Sequence, residues 1–413
     1  MLVFYLFAGL LIWQALVSLL GGVRYLSYIR RELSRETPDF TPFATIIAPC
    51  RGLDQGLREN LSALFRQDYP RYELIFVTDS DADPSLEVIE DVLREFNGAG
   101  RIAARVLVAG PATESGQKVH NLRAAVAAAS PESRVLVFVD SDARPRPAWL
   151  RSLVAPLGND GTGAATGYRW FIPVRGGLAS HLRAVWNASI ASALGERGER
   201  NFCWGGATAI RRETFERIGM PEKWRGAVSD DFALMRALRA EGLPIHFVPA
   251  CLTASHDDCG FRELLEFTTR QLKITRVYAR PFWLIVLFSN LLFVLVFFGG
   301  LALVIVRAAL GLPFAPALAL LLALYVLGTA KAYLRWRAVG LALAAYRAEL
   351  RRGLAGHLLL WPVTSALYLY NALAALVSRR IEWRGLAYEL KSPTETVIIA
   401  PVHRRSLGET GKS

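Results

Sequence analysis

The middle of the chain alternates short apolar runs with amphipathic stretches. The apolar runs predict β-strands, and the stretches with apolar residues at helical spacing predict α-helices. The predicted strands are Thr45–Pro49, Glu73–Thr78, Arg105–Val108 and Val135–Val139, and the predicted helices are Leu57–Arg66, Leu86–Phe96 and Val119–Ala129. This alternation is typical of an α/β domain with a mostly parallel, doubly wound sheet, which binds ligands beyond the carboxyl ends of its strands. Residues that follow Pro49, Thr78 and Val139 are therefore candidates for a site.

Four apolar runs outside this domain predict membrane segments. Leu2–Leu20 is long enough to cross a bilayer, and arginines follow it rather than precede it, which favours an uncleaved anchor over a cleaved leader. Pro281–Val306 and Leu312–Ala330 predict two more spanning helices. Gly353–Val377 is weaker, because its histidine, proline and asparagine are unfavourable when they face lipid. We expect this last run to be interfacial or re-entrant, although an ordinary spanning helix remains an alternative.

These patterns divide the chain into five parts. They are an N-terminal anchor (1–23), an α/β domain (41–260), an interfacial helix (261–280), a membrane region (281–377) and a basic tail (378–413). The tail after Leu390 is polar and predicts loose order. A re-entrant segment before the tail would return Ile381–Arg384 to the α/β domain.

Composition and charge support a membrane protein. The chain has 413 residues, is 53% apolar and 20% charged, and carries a net charge of +12. From residue 280 onwards there are 15 Lys and Arg against five Glu and no Asp, so the basic excess lies beside the apolar runs. This distribution predicts no nucleic-acid binding and, by the positive-inside tendency, a multi-pass protein with its α/β domain in the cytosol. The four cysteines have no CxxC spacing, which argues against a zinc site.

Carboxylates follow two of the predicted strands. Asp140 and Asp142 are two residues apart on a turn, so both can bind one divalent cation, although an aspartate after a strand can also simply cap a helix. Asp79 and Asp81 follow an earlier strand and can accept hydrogen bonds from a base or ribose, or form a solvated turn.

A second acidic motif opens a predicted helix. In Ser229-Asp-Asp-Phe232 one aspartate can cap the helix, and the other would be held ionised by the helix dipole. An ionised carboxylate beside a hydroxyl group is what a general base requires. The glycine pair ending at Gly206 predicts either a close backbone approach to a ligand or a plain turn.

Together these motifs resemble the inverting glycosyltransferases of families 2 and 21, which have a GT-A fold. The chain is most similar to the ceramide glucosyltransferase group and its bacterial relatives. The elements that carry the resemblance are Pro49–Gly52 with Asn60 and Gln67–Pro70, Asp79–Pro84, Gly116–Leu122, Asp140-x-Asp142, Asp230-Asp231, Arg270–Ile274 and Ile381–Gly385. Two positions depart from the family's RxxRW element: Lys273 replaces Arg, and Ile274 replaces Trp.

The resemblance implies a role for each matching residue. It implies that Asp231 is the catalytic base, with Asp230 beside it where Glu is common. The implied nucleotide-sugar ligands are Pro49, Arg51, Asp79, Asp81, Lys118, Asn121, Asp140 and Gly206. The implied acceptor and diphosphate contacts are Arg270, Gln271, Lys273, Arg276, Trp383 and Arg384. The implied Mg²⁺ or Mn²⁺ ligands are Asp140 and Asp142, and His256 is either a third ligand or a hydrogen-bonded loop residue.

The expected activity is transfer of a sugar from a nucleotide-sugar to a lipid hydroxyl. The resemblance implies glucose from a UDP-linked donor, an acceptor such as ceramide, and a bacterial inner membrane. Two alternatives remain at this point: a processive polysaccharide synthase, and an inactive membrane scaffold. The helix of Arg270, Lys273 and Arg276 also has an alternative reading, as a basic surface that faces lipid headgroups.

Overall fold

The computed structural model describes residues 1–97 and 102–399 as an α/β domain joined to long apolar helices. The strands are β1 Ala44–Pro49, β2 Tyr72–Thr78, β3 Ala103–Val108, β4 Val135–Phe138, β5 Ala164–Ile172, β6 Thr208–Arg211, β7 Ile245–His256, β8 Arg380–Trp383, β9 Leu386–Ser392 and β10 Glu395–Ile399. The helices are α1 Leu2–Ser34, α2 Leu57–Leu64, α3 Ser85–Asn97, α4 Gln117–Ala128, α5 Trp149–Val154, α6 Leu178–Ala191, α7 Arg212–Arg217, α8 Met220–Lys223, α9 Asp230–Ala240, α10 Phe261–Tyr278, α11 Arg280–Ala309, α12 Ala315–Ala342, α13 Arg347–Leu359 and α14 Trp361–Val377.

Seven strands form the central sheet in the order β3-β2-β1-β4-β6-β5-β7. Strand β1 pairs in parallel with β2 and β4, β2 pairs in parallel with β3, and β5 pairs in parallel with β7. Strand β6 alone is antiparallel to its neighbours β4 and β5. Both faces of the sheet are covered, so successive residues such as Ile46 and Ile47 enter different apolar clusters. The prediction of a mostly parallel α/β sheet is confirmed.

The first helix is longer than its apolar run. It continues to Ser34, beyond the predicted anchor of residues 1–23. Its last turns contact strand β7: the Tyr28 hydroxyl donates to the Phe247 carbonyl at 2.5 Å, and Glu32 lies 3.1 Å from His246. The anchor and the α/β domain are therefore joined by one continuous helix.

Among the described residues, helices α1, α11 and α12 are long and apolar enough to cross a membrane. Helix α12 runs past its apolar stretch and ends inside the α/β domain, where Ala338 and Val339 are buried in the domain core. A chain that crosses through α11 and returns through α12 therefore comes back to the side on which the domain lies.

Helices α13 and α14 form a sharply bent pair. They meet at a break with an angle of 71°, and Pro362 lies in the first turn of the second helix. The polar residues that are unfavourable in lipid contact protein instead. Asn371 donates to the hydroxyls of Thr268 and Thr269, each at 3.0 Å, and the His357 ring stacks on Trp170.

The tail folds against the α/β domain. Strands β8, β9 and β10 form an antiparallel sheet, so the prediction of loose order after Leu390 is wrong as far as Ile399. The Tyr388 hydroxyl accepts a hydrogen bond from the Gln117 amide at 3.2 Å, and Thr396 donates to the Gly226 carbonyl at 2.7 Å. These contacts place the tail and the α/β domain on the same side of the bent helix pair. The rest of the predicted basic tail, residues 400–413, lies outside the described residues.

Candidate active site

A single cavity of about 1090 Å³ begins at the carboxyl ends of β1 and β4 and continues between the apolar helices. On the domain side its walls include most of the residues that the sequence singled out. They are Pro49, Arg51, Lys118, Asn121, Asp140, Asp142, Asp230, Asp231, Arg270, Gln271, Trp383 and Arg384. This position matches the site expected beyond the carboxyl ends of parallel strands.

The paired aspartates after β4 share one arginine that the sequence did not single out. Arg169 on β5 donates two hydrogen bonds to the two oxygens of Asp142, both at 2.9 Å, and one to Asp140 at 3.3 Å. Burial opposes ionisation of Asp142, but the charge and hydrogen bonds of Arg169, together with the charges of Arg384 and Lys118, outweigh it and lower the pKa of that carboxyl. Asp142 is thus held as an anion, and both aspartates line the cavity.

A buried lysine connects this pair to the acidic start of helix α9. The Lys118 Nζ lies 2.7 Å from Asp140 Oδ1 and 3.1 Å from Asp230 Oδ1. Burial works against its charge, but the carboxylates of Asp140, Asp230 and Asp231 together raise its pKa. Lys118 therefore stays cationic and links the Asp140–Asp142 pair to the Asp230–Asp231 pair.

The two neighbouring aspartates of α9 have different surroundings. Asp230 is fully enclosed, and burial together with the nearby carboxylates of Asp231 and Asp140 raises its pKa to about 6 against the opposing charge of Lys118. Asp231 is half-buried and lines the cavity. Its Oδ1 accepts hydrogen bonds from the Phe232 amide at 2.8 Å and from the Ser229 hydroxyl, and its Oδ2 lies 3.4 Å from the Gly205 amide. Among the described residues, Asp231 thus forms no ion pair, and it lines the cavity.

The donor set suits a hard divalent cation. Carboxylate oxygens are the ligands that Mg²⁺ and Mn²⁺ prefer, and Asp140 and Asp142 present four of them at one turn. Among the described residues, no group of three or more His, Cys, Asp or Glu side chains converges on a metal position. A cation here would therefore take its remaining ligands from a substrate, such as the oxygens of a diphosphate.

The structure does not bring His256 into this group. His256 ends strand β7, and its ring lies 5.1 Å from that of Tyr346. Burial lowers the pKa of this histidine. The expected third metal ligand is thus corrected: His256 packs against the segment between α12 and α13, away from Asp140 and Asp142.

The tail closes one side of the cavity through a network of charges. Arg384 donates to Asp54 Oδ1 at 2.6 Å and to the Arg51 carbonyl at 3.1 Å. Arg51 in turn forms an ion pair with Asp79 at the end of β2 and donates to the Arg384 carbonyl at 3.1 Å. Asp79 therefore reaches the site through its ion pair with Arg51. Asp81 is exposed, and its carboxylate accepts a hydrogen bond from the neighbouring Ser80 hydroxyl.

The four residues predicted on helix α10 separate into two pairs. Arg270 and Gln271 line the cavity. Burial, with the nearby charges of Arg384 and Arg169, lowers the pKa of Arg270 to about 10, and its guanidinium lies 5.5 Å from the Trp383 ring. The positive charges of Arg384 and Arg169 beside Arg270 suit this part of the cavity to a bound anion.

The other pair does not line the cavity. Lys273 donates to the Arg380 carbonyl at 2.7 Å, and Arg276 donates to the Leu376 carbonyl at 3.1 Å and stacks over Trp283. These contacts correct their expected place as acceptor or diphosphate ligands. In this structure both side chains tie α10 to the junction of α14 and the tail.

The two glycines before β6 have different surroundings: Gly205 lines the cavity, and Gly206 packs under an aromatic ring. Gly205 lines the cavity, and a side chain there would collide with Lys118 and Asp230. Gly206, the predicted ligand, lies behind it under the Trp204 ring, which occupies the place of a side chain. Trp204 in turn contacts the Arg169 guanidinium at 4.9 Å. Gly206 therefore affects the site indirectly: it leaves room for the Trp204 ring, which packs against Arg169.

We expect the Arg169→Gln variant to bind free Mn²⁺ at least about tenfold more tightly than the unaltered protein. Arg169 competes with a metal for the oxygens of Asp140 and Asp142, and removing it removes a unit positive charge at hydrogen-bonding distance. Electron paramagnetic resonance of Mn²⁺, titrated without nucleotide, measures this affinity. The exposed Arg337→Gln variant is the control. Unchanged or weaker affinity in Arg169→Gln would show that this arginine does not compete with the metal.

We expect Arg384→Asn to weaken nucleotide-sugar binding about tenfold. The variant removes the charged hydrogen bonds of Arg384 to Asp54 and to the Arg51 carbonyl, which hold this wall of the cavity. Hydrogen bonds to charged groups each contribute ~1.5–3 kcal/mol. Arg384 has a φ of 51° at the β8–β9 turn, and asparagine tolerates this left-handed conformation. The variant therefore removes the guanidinium without straining the turn. Calorimetric titration compares it with Arg380→Asn, an exposed change on strand β8, which leads into this turn. Equal nucleotide-sugar affinities of the two variants would show that Arg384 of the tail does not contribute to donor binding.

Comparison with known proteins extends across nearly the whole chain. The sequence model described as "Glycosyl transferase family 21" matches residues 10–396. Ceramide glucosyltransferase 1 of Caenorhabditis elegans is 23% identical over 237 residues, which are 56% of this chain and 49% of that protein. Ceramide glucosyltransferase of Komagataella phaffii is 29% identical over 100 residues, 24% of this chain and 19% of that protein. These matches thus span half or less of the length of the curated relatives.

Among solved structures, a mannosyltransferase from Pyrobaculum calidifontis in complex with GDP-mannose and Mn²⁺ is similar over 90% of this chain and 98% of that one. The identity is 19% and the TM-score is 0.48. A glucosyl-3-phosphoglycerate synthase from Mycobacterium tuberculosis is 18% identical over 59% of this chain and 85% of that one, with a TM-score of 0.38. The family model covers the α/β domain, the apolar helices and most of the described tail, and by this match the chain belongs to glycosyltransferase family 21.

Proposed function

We propose that this chain transfers a sugar, with inversion, from a nucleotide-sugar to the hydroxyl group of a membrane lipid. The observation that carries this proposal is the continuity of one cavity. Asp231 and the Asp140–Asp142 pair lie at one end, and the apolar helices α1, α11, α12 and α14 form the other. A lipid can therefore present its head to the carboxylates while its chains remain between the helices.

The donor would lie along β1 and β4. Arg51, held by Asp79 and Arg384, borders the nucleotide part of the cavity, and Asn121 lines it from helix α4. Lys118, Arg270 and Arg384 surround the place of the diphosphate with positive charge. Asp140 and Asp142 would hold Mg²⁺ or Mn²⁺, which neutralises the departing nucleoside diphosphate when bound.

Asp231 would act as the general base. Its carboxylate faces the cavity, and hydrogen bonds from the Phe232 amide and the Ser229 hydroxyl hold it in place at the positive end of helix α9. It would accept the proton of the lipid hydroxyl as that oxygen attacks the anomeric carbon. Asp230, fixed by Lys118, would position this end of the site rather than move a proton.

The specific form of the proposal follows the relatives. The names of these ceramide glucosyltransferases imply glucose as the sugar and ceramide as the acceptor, and the donor would be UDP-glucose. The basic residues beside the apolar helices favour a multi-pass protein with the α/β domain in the cytosol. The resemblance to bacterial relatives implies a bacterial inner membrane. The bent pair α13–α14 would be a re-entrant segment, since it begins and ends beside the α/β domain.

The test uses the purified full-length protein with UDP-glucose, Mn²⁺ and a membrane lipid extract. We expect a lipid that carries one added hexose, and slow donor hydrolysis when lipid is absent. A lipid-free polymer would favour a processive synthase. Neither transfer nor hydrolysis with any common nucleotide-sugar would favour an inactive scaffold and contradict the proposal.

A further inference from the structure

Two cationic side chains of helix α12 line the part of the cavity that lies between the apolar helices. They are Lys331 and Arg335, which are one helical turn apart. Lys331 Nζ lies 2.5 Å from the Ser18 hydroxyl oxygen of helix α1. Arg335 is 4% exposed, so its guanidinium is enclosed by protein.

No described residue neutralises this pair. Within residues 1–97 and 102–399, neither side chain forms an ion pair with a carboxylate, and the buried Nε of Arg335 has no hydrogen-bond acceptor. The Tyr25 hydroxyl and the His357 Nδ1 are also buried without a hydrogen-bond partner. Burying an unpaired cation is unfavourable, because its hydration is lost and no opposite charge replaces it. An anionic group from a ligand would remove this cost.

The pair lies between the apolar helices and the α/β domain. On one side, Leu321 and Leu324 of α12 belong to an apolar cluster with Phe293 and Leu11. On the other side, Ala338 of the same helix is buried in the α/β core. At about 1.5 Å per residue, Arg335 is ~16 Å from Leu324 along the helix axis. Along the cavity the order is therefore carboxylates, then cations, then apolar side chains.

We propose that the cavity binds a lipid-borne anion, a phosphate or a carboxylate, at Lys331 and Arg335. This inference rests on the proposed function, because it places a lipid in the same cavity. The acyl chains would lie against Leu324 and Phe293, and the polar head would extend towards Asp231. The anion belongs either to the acceptor itself, beyond which the reacting hydroxyl lies, or to a second lipid that fills the cavity beside a neutral acceptor.

An ordinary interfacial arginine has a different position. Arg337, two residues further along the same helix, is exposed and lines no part of this cavity. Such a side chain can reach lipid headgroups outside the protein by extending along the surface. Arg335 is enclosed, so only a lipid that enters the cavity can pair with it. Arg337 is therefore the matched control for the experiment.

The test measures lipid binding by native mass spectrometry of the full-length protein in neutral detergent. The probes are dioleoyl phosphatidylglycerol, which is anionic, and dioleoylglycerol, which is neutral. We expect phosphatidylglycerol to bind the unaltered protein and the Arg337→Gln variant alike, and to bind Lys331→Gln and Arg335→Gln at least about tenfold more weakly, a difference of about 1.4 kcal/mol. Nucleoside diphosphate binding with Mn²⁺ reports whether each variant is folded.

Two further arms identify the source of the anion. If UDP-glucose glycosylates phosphatidylglycerol as sole acceptor, the acceptor carries the anion. If only ceramide is glycosylated and phosphatidylglycerol binding persists, the anion belongs to a second lipid. Equal binding of the anionic and neutral probes, or unchanged binding in both variants, would overturn the inference. Binding of phosphatidylglycerol is measured without a donor, so the absence of both transfer and hydrolysis would contradict the proposed function and leave the lipid-binding result standing.

Discussion

Asp231→Asn is expected to lower the rate of sugar transfer by about 10²–10⁴-fold, the usual contribution of a general base. The substitution keeps the shape of the side chain, and the amide oxygen can still accept the hydrogen bond of the Phe232 amide. It removes the only function that the proposal gives to this carboxylate, which is to accept the acceptor proton. Donor binding should change little, because Lys118 and the Asp140–Asp142 pair are untouched. Initial rates at saturating UDP-glucose and lipid, with calorimetry of UDP, measure both quantities.

The control for this variant is Asp160→Asn. Asp160 is exposed and pairs with Arg211 at the surface, away from the cavity. It should retain full activity. If Asp231→Asn keeps more than half of the normal turnover, the base lies elsewhere, and Asp230 becomes the residue to examine.

Asp140→Ala and Asp142→Ala should each weaken nucleoside diphosphate binding in the presence of Mn²⁺ by at least about tenfold. Loss of a residue that merely supports a metal ligand typically lowers metal affinity 10–100-fold, and these two carboxylates are the proposed ligands themselves. Without metal, the affinity for nucleoside diphosphate should change little or even increase, because each variant removes a negative charge that repels the diphosphate. Titrating UDP with and without Mn²⁺ gives both values. Equal Mn²⁺-dependent affinities in the unaltered protein and both variants would exclude the metal role.

The first half of the sheet was predictable because its strands are simple apolar runs. Strands β1, β2 and β4 agree with their predicted bounds to within one residue at each end, and β3 begins two residues earlier. Strand β5 was missed because it mixes polar and apolar residues. Its pairing with β7 also shifts register between Thr166 and Tyr168, where Gly167 lies against the Cys251 carbonyl. No single periodicity describes such a strand.

The carboxylates of the site were predictable and their cationic partners were not. Asp140, Asp142 and Asp231 stand out because they follow a buried strand or open a helix. Arg169 lies inside a strand that was not predicted, and Asp54 lies in a loop without a motif. An arginine between buried aromatic residues, as in Tyr168-Arg169-Trp170, is the one local signal that could have indicated Arg169.

For the tail and the charged end of α12, amino-acid composition alone predicted the wrong environment. The segment from Leu390 to Ile399 looks polar and loosely ordered, but strand pairing and contacts with Gly226 order it. Lys331 and Arg335 look like ordinary juxtamembrane charges, yet the packing of α1 against α12 turns them inwards. Tertiary packing decides which face of a helix is covered by other helices. Counting charged residues in the sequence gives no information about this packing.

The central claim is that this chain adds a sugar to a membrane lipid with Asp231 as base. The most direct measurement is mass spectrometry of lipids from cells with the gene deleted, restored, and restored as Asp231→Asn. We predict that one class of hexosyl lipid disappears on deletion, returns with the unaltered gene and stays absent with Asp231→Asn at equal protein level. Identical glycolipid profiles in all three strains, or full recovery with Asp231→Asn, would contradict it.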